Sequence, residues 1–394
     1  MTPEPSAMTT PSPSTPLALL AAIVVFAAIT PAVLMTAPAV AAQLAAQWQL
    51  APAQIGDLFS AELGAMSLAT LPAFWWLKRV DWRRAALLAG LLFIAGNLAS
   101  AYAADYATLV ALRFATALGG GSLMILCLSS AATTTNPSRV YGIWVMGQLV
   151  LGAIGLSLLP PLFERQGLAG GYFVLAVLGL LALPLARAFP AGSQASAQQV
   201  GEARAVPRGK IALGILGLLG FYIALSGVWT FIGAIGVKAG LNAQVSGDIL
   251  AVATLMGIAG SGCATLIGAR LPRDLLLCSG FGLLTVATLL LLDQPQLARF
   301  AVAALLFKFT WTYVLPFILA SLAELDSDGR LMNTSNLVIG GGLALGPALA
   351  GRLIEQQGNY QALLLGAASL TALSLLAILG SRTRPTPVTT PQSL

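Results

Sequence analysis

Three charged side chains stand far from either end of long apolar runs: Glu62, Arg113 and Lys308. At the centre of a helix in lipid such a charge costs about 2.5–3.5 kcal/mol on insertion scales, so these positions are functional candidates by default. An arginine and a lysine facing one space would hold an anion between them. A carboxylate nearby would exchange a proton, and the neighbouring cations would tie that exchange to anion binding. The sequence has no histidine. Histidine triads, histidine zinc sites and histidine proton relays are thereby removed, which leaves Glu62 as the best proton carrier. No nucleophile–base pair, metal cluster or phosphate loop can be traced, so neither an enzyme nor a cofactor is expected.

The neighbours of these residues refine the expectation. Arg113 shares a helix side with Ala117, Gly120, Gly121 and Met124, whose small members leave room beside the guanidinium. Lys308 has Trp311, Thr312 and Leu315 at i+3, i+4 and i+7, which is one helix face. Trp311 can stack an aromatic ring or hold the ammonium, and Pro316 can bend the helix. Arg113, Lys308, Trp311 and Thr312 are therefore the expected solute contacts. Tyr222, Trp229 and Phe231 are further candidates for the same pocket. Arg113 is expected either to bind an anionic group or to pair with the coupling carboxylate, and plainer roles exist for each charge. Arg113 can bond helix carbonyls, Lys308 can snorkel or pair with Glu62, and Glu62 can be locked where Ala65, Ala69 and Ala73 favour close packing. Asp57 and Asp248 open two of the runs, where a carboxylate favours the positive end of the helix dipole.

The elements that position these residues follow from composition. The 394 residues are 57% hydrophobic and 9% charged, with a mean hydropathy of +0.86. A soluble surface is about one-quarter charged, so the solvent of this chain is lipid. Twelve apolar runs can be marked: 18–44, 53–77, 85–103, 107–132, 141–163, 170–189, 211–236, 245–269, 275–292, 297–322, 331–354 and 360–380. Runs of about 20 residues cross roughly 30 Å of hydrocarbon as helices. No alternation suggests barrel strands. The Pro/Ser/Thr-rich ends, 1–16 and 382–394, are expected to be disordered, and the first run is too long for a cleaved signal peptide. Cys127, Cys263 and Cys278 lie inside runs and form no CxxC, so they read as small packing residues.

The chain repeats itself. "LFERQG" at 162–167 returns as "LIEQQG" at 353–358, a shift of 191 residues. The shift lays the fifth run on the eleventh, with Gly155 on Gly346 and Glu164 on Glu355. It lays the second on the eighth, with Gly56 on Gly247 and Asp57 on Asp248. After a drift of four residues it lays the fourth run on the tenth, and Arg113 falls on Lys308. The expected fold is all-α: 12 transmembrane helices as two six-helix bundles, 17–190 and 211–381, joined by a polar linker at 191–210. With six helices each, both halves insert the same way, so the pseudo-twofold axis lies along the membrane normal.

Basic residues orient the chain. Lys78, Arg79, Arg83, Arg84, Arg139, Arg187, Arg204, Arg208, Lys210, Arg270, Arg273, Arg330, Arg382 and Arg384 fall on the side of the termini. Arg165, Lys238, Arg299 and Arg352 fall opposite. The bias puts both termini in the cytoplasm of a bacterial-type inner membrane. The net charge of +6 is then a topology signal, and no nucleic-acid partner is expected.

Twelve helices in a six-plus-six repeat around a cytoplasmic loop resemble the major facilitator superfamily over residues 17 to 381. The loop "WWLKRVDWRR" (75–84) keeps Leu77, Arg83 and Arg84 of the family's loop 2–3 signature, and "GARLPRD" (268–274) keeps Gly268 and Arg273 of its second copy. The family's helix-4 arginine is matched by Arg113, with Ala117 and Gly119 nearby. The antiporter signature GxxxGP is missing from the fifth run and appears in the eleventh as Gly342, Gly346 and Pro347. The resemblance implies rocking halves around a midplane site lined by helices 1, 4, 7 and 10. Asp57, Asp248, Arg83, Arg84, Gly346 and Pro347 would have gating or structural roles. A secondary active transporter of a small organic solute is expected, the solute anionic and aromatic ones included. Protons are the expected coupling ion, sodium less so because few oxygens can be placed around it. A monomer in the lipid bilayer is expected. The alternatives are a drug or metabolite:proton antiporter and, more remotely, a non-transporting receptor.

Overall fold

A computed structural model describes residues 16–192, 207–268, 270–326 and 330–382. The tails and most of the linker, including Arg204 and Arg384, lie outside the described residues. All regular structure among the described residues is helical.

Proline breaks the first crossing into three pieces: α1 (Leu17–Ile29), α2 (Ala32–Met35) and α3 (Ala37–Trp48). Pro31 and Pro38 bring no backbone N–H, so the carbonyls four residues earlier lose their helical partners. The sequence read this crossing as one run. The second crossing is α4 (Pro52–Leu68) with α5 (Thr70–Trp76), interrupted just before Pro72. α6 (Trp82–Ala101) and α7 (Tyr106–Ala132) start on Asp81 and Asp105, whose carboxylates accept the N–H groups of Arg84 and Thr108 at 3.0 and 2.9 Å.

α8 (Pro137–Ala182) holds the fifth and sixth crossings and turns at Gly167, where φ is +62°. Gly171 lies back against Phe163 and Leu159, as in a hairpin. Gly358 takes the same φ, +65°. The repeated hexapeptide therefore ends in a left-handed glycine twice, a conformation that costs glycine little. The second half follows as α9 (Arg208–Lys238), α10 (Ala243–Ile267), α11 (Arg273–Leu289), α12 (Leu297–Ala323), α13 (Arg330–Gln357) and α14 (Gln361–Ser381). Among the described residues, eight helices are long and apolar enough to cross a membrane by length and composition. Their outward residues are apolar too: Leu88, Leu181 and Leu376 are largely exposed, as lipid contact requires.

α1 begins and α14 ends on one face, here the near face; the turn at Gly167 marks the far face. Between the halves, α4 packs on α13, α8 on α10 and α3 on α9. Glycines let the backbones touch. A Cβ on Gly56 would lie 2.2 Å from the Pro347 carbonyl oxygen, and one on Gly247 would lie 2.4 Å from that of Leu156. The two contacts are copies of each other under the 191-residue shift.

Candidate functional site

α7 carries Arg113 into the first half, where α4, α6 and the second limb of α8 meet it. Its Nε donates to Glu62 Oε2 at 3.2 Å and its Nη2 to Glu62 Oε1, a two-pronged ion pair. Its Nη1 donates to Asn97 Oδ1 at 2.8 Å, and Asn97 Nδ2 donates to the Phe93 carbonyl at 2.8 Å. The Tyr172 ring lies 4.8 Å from the guanidinium carbon. Arg113 is 1% exposed and Glu62 8%. α6 comes close because Gly96 rests on Thr116; a Cβ there would meet Oγ1 at 2.0 Å. A buried guanidinium is stable where its planar fork meets a carboxylate, and Glu62 supplies it. All these partners belong to the first half. Arg113 thus turns into its own bundle, where the sequence had placed it opposite Lys308 across one cavity.

Lys308 lies on α12 and is 2% exposed. Its Nζ sits 4.0 Å from the centroid of Trp229 and 4.2 Å from that of Trp311. The two indoles meet edge to face at 6.1 Å, and Phe307 stacks on Trp229 at 6.4 Å. No hydrogen bond or ion pair joins this ammonium to Glu62 or any other carboxylate among the described residues. Trp311 meets the expectation of a cation–π partner. Thr312 does not share the box. Its Oγ1 donates to the Gly257 carbonyl at 2.6 Å, and Gly260 sits tight against it, so its one donor is used in the α10–α12 contact.

The far face carries polar links between the halves. Arg352 donates to both oxygens of Asp57, at 2.7 and 3.3 Å. Glu355 accepts the Ala53 N–H at 3.1 Å and so caps α4, whose own N-cap is Ala51. On the other arm Ser157 Oγ and Gln244 Nε2 both donate to Asp248 Oδ1, and Gln244 also reaches the Ser157 carbonyl at 3.0 Å. Asp57 and Asp248 are thus bridges across the halves; each is the sixth residue of its helix, which starts earlier than the sequence suggested, so neither is the first-turn carboxylate that was expected.

The sequence model of the Major Facilitator Superfamily matches residues 17–328. The chain belongs to the major facilitator superfamily. It is a multi-pass membrane transporter and not an enzyme. A gallate transporter of Pseudomonas putida is 31% identical over 185 residues, which is 44% of this chain and 41% of that protein. The chain thus matches well under half of that relative's length. A bacterial homologue of the human lysosomal transporter Spinster, in an inward-facing and occupied conformation, shares the fold at a TM-score of 0.71 and 14% identity, over 94% of this chain and 98% of that one. A nucleoside transporter does so at 0.72 and 11%, over 93% and 100%. A D-xylose–proton symporter does so at 0.68 and 14%, over 93% and 96%.

The superfamily motifs have structural places. Arg83 Nε donates to the Phe189 carbonyl at 2.8 Å, and Asp81 accepts the N–H groups of Arg84 and Gly192. The loop after α5 is thereby tied to the end of the sixth crossing. Those donors, Gly192 first, hold the Asp81 carboxyl below the usual carboxylate range. Gly346 abuts Ser226 and Ile223 of α9 inside the second half, while Pro347 receives Gly56 across the halves. Sequence reasoning missed Asn97 and Tyr172. Asn97 carried a signal, as an amide within an apolar run; Tyr172 carried none. Tyr222 lies behind Gly342 and away from the box, whereas Trp229 lies in it.

Proposed function

We propose that this superfamily member moves a small aromatic carboxylate across the inner membrane by alternating access, with Lys308 as the anchor. The observation that carries the reading is the Lys308 ammonium held between two indole rings with no counter-charge. A buried charge left unpaired is costly, so an incoming carboxylate completes the site. Trp311 and Trp229 offer the surface on which its ring packs. The partial likeness to a gallate transporter supports the same class, since gallate is an aromatic carboxylate.

Coupling is assigned to Glu62. It ties α4 to α7 through Arg113, and α4 also carries Asp57 at the far-face link. Protonating Glu62 breaks the ion pair and frees α4 to move with the gate, so protons rather than sodium drive the cycle. Arg113 then acts through Glu62 and not as a direct solute contact. The basic-residue bias supports cytoplasmic termini, which makes the far face the outer one and the present state outwardly sealed. The two bundles, 17–190 and 211–381, rock as a monomer about the Lys308 level.

Purified protein is tested by thermal shift and by counterflow in proteoliposomes, with gallate, benzoate and a lipophilic cation. An aromatic carboxylate at about 100 times its Kd stabilises by roughly 2.7 kcal/mol, and Lys308→Met removes both the shift and the counterflow. Stabilisation by the lipophilic cation alone, unchanged in Lys308→Met, would overturn this reading in favour of a drug:proton antiporter.

A further inference from the structure

Trp229 does two things at once. Its ring lies 4.0 Å from the Lys308 ammonium, and its Nε1 donates to the Leu34 carbonyl at 2.9 Å. Leu34 belongs to the other half, in the four-residue fragment α2. Its carbonyl is available for a chemical reason. In a continuous helix it would accept the N–H of residue 38, but residue 38 is proline and has none. The first crossing is therefore built with a free acceptor at the depth of the site, and the second half supplies the donor.

The surrounding packing makes this bond a lever. Residues 35–38, from the end of α2 into α3, are wedged between α8 and α9. A Cβ on Gly152 would lie 2.9 Å from Met35 Cβ, and one on Gly155 would lie 2.6 Å from Thr36 Cγ2. On the α9 side Gly233 rests on the Pro38 carbonyl oxygen, where a Cβ would lie 2.8 Å away. The indole cannot shift over Lys308 without moving or breaking its bond to Leu34. The other cross-half hydrogen bonds described above stand at the far face, so this one joins the halves at the solute level.

We propose that Trp229 is a positioning residue that transmits occupancy of the Lys308 site to the broken first crossing, through its bond to the Leu34 carbonyl. The inference rests on the proposed solute site. A ring packing on Trp229 turns the indole, the N–H leaves or re-forms with Leu34, and the first crossing is released from or held to the second half. Turnover then depends on the bond, while affinity depends on the ring face and the ammonium.

Two variants separate these roles. Trp229→Phe keeps an aromatic face over Lys308 and removes the N–H. Pro38→Ala lies outside the box and returns an N–H to Leu34 within its own helix, where it competes with the indole. Exchange kinetics of wild type and both variants are measured with gallate, beside hydrogen–deuterium exchange across residues 30–40 in ligand-free protein. Loss of one hydrogen bond that must break and re-form during the cycle lowers kcat by about tenfold, with KM within about threefold. Faster amide exchange at 30–40 is expected in Trp229→Phe, and slower exchange in Pro38→Ala. Wild-type kcat in both variants overturns the proposal, as does unchanged amide exchange, which needs no ligand to be read. A rise in KM that accounts for the whole loss in Trp229→Phe overturns it too, because Trp229 is then a solute contact alone. Failure of wild type itself to bind any aromatic carboxylate strikes the solute reading instead, a result that the variants cannot imitate.

Discussion

Arg113 and Lys308 occupy equivalent places in the two halves, and their surroundings differ in kind. Arg113 meets Glu62 and Asn97 and is closed off within its own bundle. Lys308 meets aromatic faces and no carboxylate among the described residues. One substitution in the repeat explains most of this: the shift that lays α4 on α10 puts Ala253 where Glu62 stands. The duplication kept a cation in each bundle and a counter-ion in one. A satisfied charge holds a bundle together, whereas the charge without a counter-ion is the one we propose as the ligand's anchor.

Breaking the satisfied pair has the largest expected effect on stability. Arg113→Met leaves a buried carboxylate alone and costs about 3–5 kcal/mol, read as a fall in Tm of detergent-purified protein. The double variant Arg113→Met/Glu62→Met recovers most of that loss, because replacing a whole buried pair is often near neutral. Recovery in Tm without recovery of proton-driven uptake would sharpen the contrast between a structural charge and a coupling one. At the second cation the expectation is opposite. Lys308→Met leaves ligand-free Tm unchanged or higher, since no partner is orphaned, and a drop as large as that of Arg113→Met would break the comparison.

Smaller effects lie at the faces. Asp57→Asn loosens one arm of the far-face link and leaves the Asp248 arm alone. Exposed ion pairs of this sort are worth about 0–1 kcal/mol, so maleimide labelling of a cysteine placed on the far-face side of Gly56 rises modestly while Tm barely moves. The smallest is a pH effect on the near face. The folded-state Asp81 pKa lies below its unfolded value of 3.8. Its contribution is therefore present above that value and is lost as pH falls through the lowered one. Asp81→Asn lowers Tm slightly at neutral pH, and the difference from wild type vanishes in strong acid.

The repeat was legible because it rests on residue identity at a fixed spacing. It put Gly56 on Gly247, and the structure gives that pair matching contacts; it put Asp57 on Asp248, which both bridge the halves but through different partners. The direction of Arg113 was not legible. It depends on how far α7 is rotated about its axis against α4 and α6, and small residues on several sides of that helix permit more than one answer. Thr312 failed for the same reason. It shares a face with Lys308 at i+4, yet the ridge it sits on packs into the glycines of α10. The breaks in the first crossing were visible as Pro31 and Pro38, but nothing in the sequence says that an indole from the other half answers the free carbonyl.

The glycine contacts at Gly56 and Gly247 have a consequence for how the halves part. Each brings a Cα–H, rather than an amide, onto a carbonyl oxygen of the opposite bundle. Such weak Cα–H···O contacts are worth about 0.5–1 kcal/mol each. The Pro347 carbonyl keeps its main bond along its own helix, whereas the residue four beyond Leu156 is Pro160, which has no N–H to give. When the far-face seam separates, the Pro347 acceptor stays paired within its helix and the Leu156 acceptor does not. The two arms of the seam are alike in distance and unlike in what their parting leaves behind.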